Sequence, residues 1–445
     1  MSQAQQQSET RPADTSPISY KPWYLYYVLG VLFFGYVINS MDRAVLNVLL
    51  ESIKLEFKIS DTMAGFLGGI TFAAFYSIMG IPIAAIADRN NRVNVLSISI
   101  ALWSIMTALC GLASQFIYLL LARVGTAIGE AGGTPPSHSL LSDYFPRHRR
   151  ATAISIYMMG VPIGQALGQY SGGWLNQYLD WRMAFVLVGL PGVLVALLAK
   201  TTVREPLRGY SDLNRTTLSE PVPPIWEVFK HLWRIKAFRY LCIANGLHSF
   251  VWYGGSSWNN SFFIRTHNMS FGDAATLLMS ISLISCIGTY GGGVLADKLS
   301  VRFNDKRWYL LLPAIATFGM IPFQFSSYLA ADKLMVILSF YIMMILASVF
   351  FGPTYAMAQA LSPTHMRARA ASIVLFVQTM LGYGLGPIVV GMLSDWLMPT
   401  QDKQSLAWGL VIVGLANIGA AWYYYQGSRT LAAELDSAVG LSTTK

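Results

Sequence analysis

Charge is scarce in this chain: Asp, Glu, Lys and Arg make up 12% of its 445 residues, about half the share usual in soluble domains. That excludes an ordinary water-solvated globule. Cysteine is scarcer still. Cys110, Cys242 and Cys286 each lie inside an apolar run with no second ligand at metal spacing, which excludes a disulfide framework or a zinc site and leaves no metal to expect. No Gly-x-x-x-x-Gly-Lys-Ser/Thr phosphate loop is present, so ATP is not the expected energy source, and no cofactor is expected. The formal net charge is +9, but the basic residues sit in short segments between apolar runs and are not gathered on one soluble face, which argues against nucleic acid. Residues 1–19 lack the basic-then-apolar order of a secretory signal and read as a disordered cytoplasmic tail. A membrane enzyme would want a nucleophile with its base, or paired carboxylates in one pocket, and the chain offers neither.

Long apolar runs are what the chain has in abundance, with 54% hydrophobic residues. A membrane span takes about 20 of them, and twelve stretches qualify: 24–50, 62–87, 93–113, 116–142, 150–175, 183–201, 237–265, 270–297, 308–330, 333–360, 367–394 and 404–427. An even count puts both termini on one side. The segments joining spans 2–3, 4–5, 6–7, 8–9 and 10–11 hold nineteen of the thirty-one Lys and Arg residues, and the opposite segments hold six, so both termini are expected in the cytoplasm. The longest connection, 202–236, divides an amino-terminal bundle, 20–201, from a carboxy-terminal bundle, 237–428, and 429–445 reads as a second cytoplasmic tail. The expected fold is an all-α integral membrane protein of twelve helices in two pseudo-symmetric six-helix bundles.

The two halves repeat each other. "AAIADRNNR" (84–92) follows span 2 and "GVLADKLSVR" (293–302) follows span 8, so Asp88 and Asp297 occupy equivalent turns. "FPRHRRATA" after span 4 and "SPTHMRARA" after span 10 each place an Arg four residues beyond a Pro. "GVPIGQALGQYSGG" in span 5 and "GYGLGPIVVG" in span 11 space small residues about one helical turn apart, which allows neighbouring helices to approach closely.

With the "RVGTAIGEAG" of span 4 (123–132), these turns resemble the major facilitator superfamily over the whole chain after residue 20. Ala84 stands where the family's turn usually has Gly, and the second copy has Lys298 and no full basic tail. Within that superfamily, "INSMDRAVLNVLL" in span 1 and "GEAGGTPPSHSLLSDYFPRHRRA" leaving span 4 look like the spinster family. The resemblance implies a monomeric secondary transporter of the inner (plasma) membrane that alternates access between the two faces, carries lysolipids or sphingoid phosphates and is coupled to protons. An organic-anion or sugar-acid symporter and a multidrug efflux transporter are the alternatives within the same fold. The resemblance also makes the turn after span 2 a cytoplasmic latch between the halves, with Asp88 matching the family position; Asp297 is its echo.

Span 1 carries adjacent charges, Asp42 and Arg43, inside an apolar run, where a charge is costly and has to be paired or functional. Span 4 carries Arg123 and Glu130, seven residues apart and so on one helical stripe, about 10 Å apart along the axis. The two spans run in opposite directions, which puts Asp42 near the depth of Arg123 and predicts that they pair. Burial disfavours a charged Glu130 and an approaching Arg123 restores it, so these residues read as a proton switch, with a static buried network as the bland alternative. Arg43 or Arg123 also suits a substrate phosphate. In the second half, span 7, "NGLHSFVWYGGSSWNNSFF", can break at Gly254 and Gly255 and offers Trp252, Tyr253 and Trp258 as a wall for an acyl chain. Tyr36 and His248 complete the expected substrate contacts. Arg89 and Arg92, beside Asp88, are expected to meet lipid phosphates.

Overall fold

The computed structural model describes residues 20–207, 225–363 and 366–443; the expected tail 1–19 and residues 208–224 of the 202–236 connection lie outside them. Twelve spans are present. The first six are Pro22–Phe57, Asp61–Gly68 with Ile70–Arg89, Arg92–Gly111, Phe116–Ala131 with Thr134–Tyr144, Arg147–Met158 with Gly160–Tyr178, and Trp181–Thr202. A short helix, Ile225–Arg234, leads into the second six: Lys236–His267, Phe271–Arg302, Trp308–Gly319 with Ile321–Leu329, Lys333–Ser348 with Phe351–Ala360, Arg367–Val377 continued through Gln378–Leu385 and Gly386–Gln401, and Ser405–Gly414 with Ala416–Thr443. Eight helical stretches combine spanning length with a mean hydropathy between 1.4 and 2.6, one of them, Arg369–Leu435, holding spans 11 and 12 together. Spans 4, 5 and 7 fall short because they are broken or carry polar side chains, a first sign of where function sits.

The internal repeat is visible in the helix ends. Ser60 caps span 2 by accepting from Met63 N at 3.2 Å, and Ser270 caps span 8 from Asp273 N at 3.1 Å. Span 1 stops at Lys58 with φ 52° and span 7 at Asn268 with φ 50°, the left-handed cap that closes a helix. The small residues of spans 5 and 11 do what their spacing suggests. A Cβ on Gly164 would run into the Val37 carbonyl of span 1, and one on Gly386 would run into the Phe250 carbonyl of span 7, so each half is built on a close crossing that only glycine permits.

Apolar and glycine contacts join the halves, and the polar joints between them gather at the end of the molecule away from the termini, here called the far side. Arg265, at the end of span 7, donates from Nη2 to Glu51 Oε2 of span 1 at 2.6 Å and from Nη1 to Asp61 Oδ2 of span 2 at 2.8 Å. Lys54 reaches Asp61 Oδ1 at 2.6 Å. Asp395 of span 11 accepts from the backbone N–H groups of Asp61 and Thr62 at 2.9 and 2.8 Å. Asn260 donates to the Val48 carbonyl at 2.8 Å and Trp174 to Thr276 at 3.0 Å. Towards the terminus side the contact loosens: Gly65 lies against Pro387 across the halves, whereas a Cβ on Gly80, Gly291 or Gly293 would meet nothing within 4 Å. The molecule is therefore clamped at its far side.

Asp61→Asn takes one carboxylate from Arg265 and the partner from Lys54. Removing one member of a buried ion pair costs about 3 kcal/mol or more, about a hundredfold in an equilibrium. Spin labels at Ser114→Cys and Ala331→Cys, exposed far-side positions of the two halves, should therefore show a longer, broader distance distribution in Asp61→Asn. A distribution identical to the parent's would mean that the clamp does not hold the far side shut.

Candidate functional site

Asp42 and Arg43 are neighbours on span 1, so their side chains leave the helix about 100° apart and find different partners. Asp42 accepts from Arg123 Nη1 at 3.1 Å and from Thr107 Oγ1 of span 3 at 2.8 Å. Arg43 donates from Nε to Glu130 Oε2 at 2.5 Å. Sequence spacing suggested that Glu130 answers to Arg123; the structure gives Glu130 to Arg43 and leaves Arg123 to Asp42. Seven residues on one stripe are too far apart along the axis for direct contact, and span 1 fills the gap with one charge of each sign.

The four side chains differ in access. Glu130 and Arg123 have no exposed surface and Asp42 has 2%, but 31% of the Arg43 side chain is exposed. Arg43 is thus the member that faces the space between the halves. Its guanidinium lies 5.0 Å from the ring centres of both Phe72 and Tyr76 of span 2, and that of Arg123 lies 5.5 Å from Phe72, within cation–π range. Arg123 Nε and Nη2 and Glu130 Oε1 make no hydrogen bond. Span 4 breaks just past Glu130, at Gly132 and Gly133, where a Cβ on either would press on Ser99 or Trp103 of span 3. Two positive and two negative groups sum to zero, so a proton on Glu130 would release Arg43 as a net cation facing the cleft.

Tyr36, two turns along span 1 from Arg43, stacks on Tyr157 of span 5 with centroids 4.4 Å apart and planes within 4°. It borders a side pocket of about 260 Å³ shared with Asn39, Thr134 and Ser137. In the other half, Trp252 lines a cleft of about 400 Å³ with Met320, Met343, Met344 and Gln324. Its neighbours depart from expectation. Tyr253 turns to Tyr383 of span 11, centroids 5.2 Å apart. Trp258 is fully buried and donates to the Pro387 carbonyl at 2.9 Å, so it joins spans 7 and 11 and walls no cleft. Span 7 does not break at Gly254 and Gly255; it is one helix of 32 residues, because Gly254 seats against Gly386 and Val390. His248 reaches that cleft with both ring nitrogens engaged, Nε2 donating to the Ala347 carbonyl at 2.8 Å and Nδ1 accepting from Thr317 at 3.3 Å.

At the terminus side Asp88 and Arg89 are exposed, as is Asp297, which accepts from Tyr309 at 2.5 Å. Arg92 turns inward where lipid phosphates were expected. It is 2% exposed and binds Asp143 at 2.5 Å, Glu205 at 2.6 Å and the Pro206 carbonyl at 3.0 Å, bracing spans 3 and 4 to the segment that leaves span 6. Two features were not singled out from the sequence: the cluster of Glu51, Asp61 and Arg265, and the rings of Phe72, Tyr76 and Tyr383 around the charged network.

The model of the Major Facilitator Superfamily matches residues 32–387. The chain is 30% identical over 404 residues to an MFS-type efflux pump of Mycolicibacterium smegmatis, covering 90% of this chain and 92% of that protein. It is 25% identical over 407 residues to a sphingosine-1-phosphate transporter of Danio rerio, covering 87% and 79%. Among solved structures it is similar to a bacterial homolog of the human lysosomal transporter spinster in an inward-facing, unoccupied conformation, at 33% identity and a TM-score of 0.85, covering 93% of this chain and 99% of that one.

The unequal burial of the four charges has a measurable consequence. Asp42→Asn strands Arg123, which has no exposed surface, and should cost about 3–5 kcal/mol, whereas Glu130→Gln leaves an Arg43 that can turn to the cleft and should cost about 1–2 kcal/mol. Thermal unfolding in detergent should rank Asp42→Asn well below Glu130→Gln; the reverse order would contradict this assignment of partners.

Proposed function

The chain belongs to the Major Facilitator Superfamily, and from that premise we propose that this membrane transporter is a proton-coupled carrier, working by alternating access, of an anionic amphiphile of the lysolipid or sphingoid-phosphate kind. The Arg43–Glu130 pair carries this reading. An anionic headgroup in the cleft meets one accessible guanidinium whose partner carboxylate competes with it. Protonating Glu130 removes the competitor, so proton and anion favour each other's binding and travel together; that positive linkage is the thermodynamic signature of symport. Arg123 stays with Asp42 and holds the frame in which the exchange takes place.

The second half supports an amphiphile. The network of Asp42, Arg43, Arg123 and Glu130 belongs to the first half, and the second has a cleft of its own where Trp252 and three methionines offer a surface that adapts to an alkyl chain. The sphingosine-1-phosphate transporter among the relatives agrees with such a cargo. Alternating access is supported by the gathering of the polar joints between the halves, Arg265 to Asp61 among them, at one end of the molecule. In this reading both termini and the 202–236 connection are cytoplasmic, the protein lies in the plasma membrane, and Asp88 and Asp297 latch the terminus side when the far side opens.

A second reading, efflux of organic cations, has one observation in its favour beyond the Mycolicibacterium relative: Glu130 Oε1 is unbonded and a cation could take it. The sign of the coupling separates the two. A cation competes with the proton for Glu130 and gives antiport, whereas an anion at Arg43 gives symport.

Glu130→Gln should mimic the protonated state. In proteoliposomes loaded with lysophosphatidate or sphingosine 1-phosphate, exchange should persist while accumulation driven by a pH gradient is lost; gradient-driven accumulation at wild-type levels would sink the switch. For topology, cysteine at exposed Lys58 should react with an impermeant maleimide applied to intact cells and cysteine at exposed Lys306 should not; the opposite pattern would invert the protein.

A further inference from the structure

Span 11 is not a plain α-helix. Between Arg367–Val377 and Gly386–Gln401 it is wound as a π-helix over Gln378–Leu385, a geometry that is rare and concentrates at functional sites. The wide turn faces the other half. A Cβ on Gly69, where span 2 breaks, would press on the carbonyls of Gly384 and Tyr383. The two helices that meet here across the halves are thus both irregular at their point of contact, span 2 at Gly69 and span 11 in its π turn.

The π turn delivers Tyr383 to the charged network. Its ring lies 5.2 Å from Phe72, the ring on which both guanidinium groups rest, and 5.2 Å from Tyr253 on the other side. Tyr383 is 7% exposed and its hydroxyl makes no hydrogen bond, in a neighbourhood where Arg123 holds two N–H groups free. The other titratable groups around the network are Cys110 behind Arg123 and the phenols of Tyr36, Tyr76 and Tyr253. The Tyr76 ring lies 5.0 Å from the Arg43 guanidinium, the Tyr253 ring packs on Tyr383, Tyr36 belongs to the side pocket, and Cys110 is fully buried in the first half.

We propose that Tyr383 is a positioning residue through which the second half reads the charge state of the first: its ring holds Phe72 against Arg43 and Arg123, and its unbonded hydroxyl offers an acceptor to the N–H groups that Arg123 leaves free of Asp42. The π turn is what lets this happen in register with movement. When the halves rock about the contact between Gly69 and the π turn, Tyr383 slides over Phe72, and whether the Arg43 guanidinium is paired with Glu130 or released decides how far it can go. This rests on the proton-coupled reading above.

The test uses the full chain in lipid nanodiscs, with the spin-label pair Ser114→Cys and Ala331→Cys reporting far-side opening as pH is varied. Tyr383→Phe keeps ring and packing and should shift the pH midpoint of the distance change by at least about half a unit with an unchanged melting temperature; Tyr383→Leu, lacking the ring, should flatten the response. An unchanged midpoint in Tyr383→Phe overturns the part given to the hydroxyl, and an unchanged midpoint in both variants overturns the proposal. Glu130→Gln is the control. If it abolishes the pH response while the Tyr383 variants behave as wild type, only this inference fails; if Glu130→Gln itself responds normally to pH, the proton-coupled reading fails with it.

Discussion

A guanidinium without exposed surface in the middle of an apolar bundle fixes much of this molecule. Arg123 cannot shed its proton, so its position in low dielectric requires a carboxylate, and Asp42 supplies it at 3.1 Å. That requirement locks spans 1 and 4 in depth and brings in Thr107 of span 3. It also determines where Arg43 points, since the residue after Asp42 must leave span 1 on a different face. The exposure of Arg43 is thereby a by-product of the buried pair: because Arg123 and Asp42 are committed to each other, Arg43 is left as the one of the four side chains with substantial exposed surface, 31%, while its partner Glu130 stays buried.

The same separation of fixed from changeable runs through the fold. Inside each half, backbone meets backbone at glycine crossings such as Gly164 on Val37. Between the halves, glycine crossings such as Gly65 on Pro387 sit beside the buried ion pairs of the far-side clamp, and it is the clamp that the loss of one charge weakens. The brace from Arg92 to Glu205 and Pro206 extends the first half into the segment that leaves it.

Span count, the repeat and the paired charges were legible in the sequence because each has a linear signature: hydropathy over about 20 residues, matched turns after spans 2 and 8, and charged residues where the bilayer tolerates few. The pairing of Asp42 with Arg123 followed from depth alone. The pairing of Glu130 with Arg43 did not, because it depends on which way two adjacent side chains turn, and helical periodicity places residues on faces without saying which neighbour occupies each. Trp258 illustrates the other limit. An aromatic on span 7 suits a cleft wall or a helix seam equally well, and only the Pro387 carbonyl beside its indole N–H decides. The far-side cluster was hidden for a third reason: charges at span ends are usually interfacial, and nothing in one sequence says that Glu51, Asp61 and Arg265 converge from three helices.

Span 7 was expected to kink and does not. At 32 residues it is a rod of about 48 Å that carries Arg265 of the clamp at one tip and adjoins the short helix Ile225–Arg234 at the other. A stiff lever pivoting near its centre cannot swing both tips outward at once. In the alternating access proposed above, releasing Arg265 at the far side would carry the opposite tip toward closure, where a kinked helix would let each tip move alone. For the gradient-driven carrier proposed above, an unbroken helix would then guard mechanically against an open bore that drains the gradient without moving cargo.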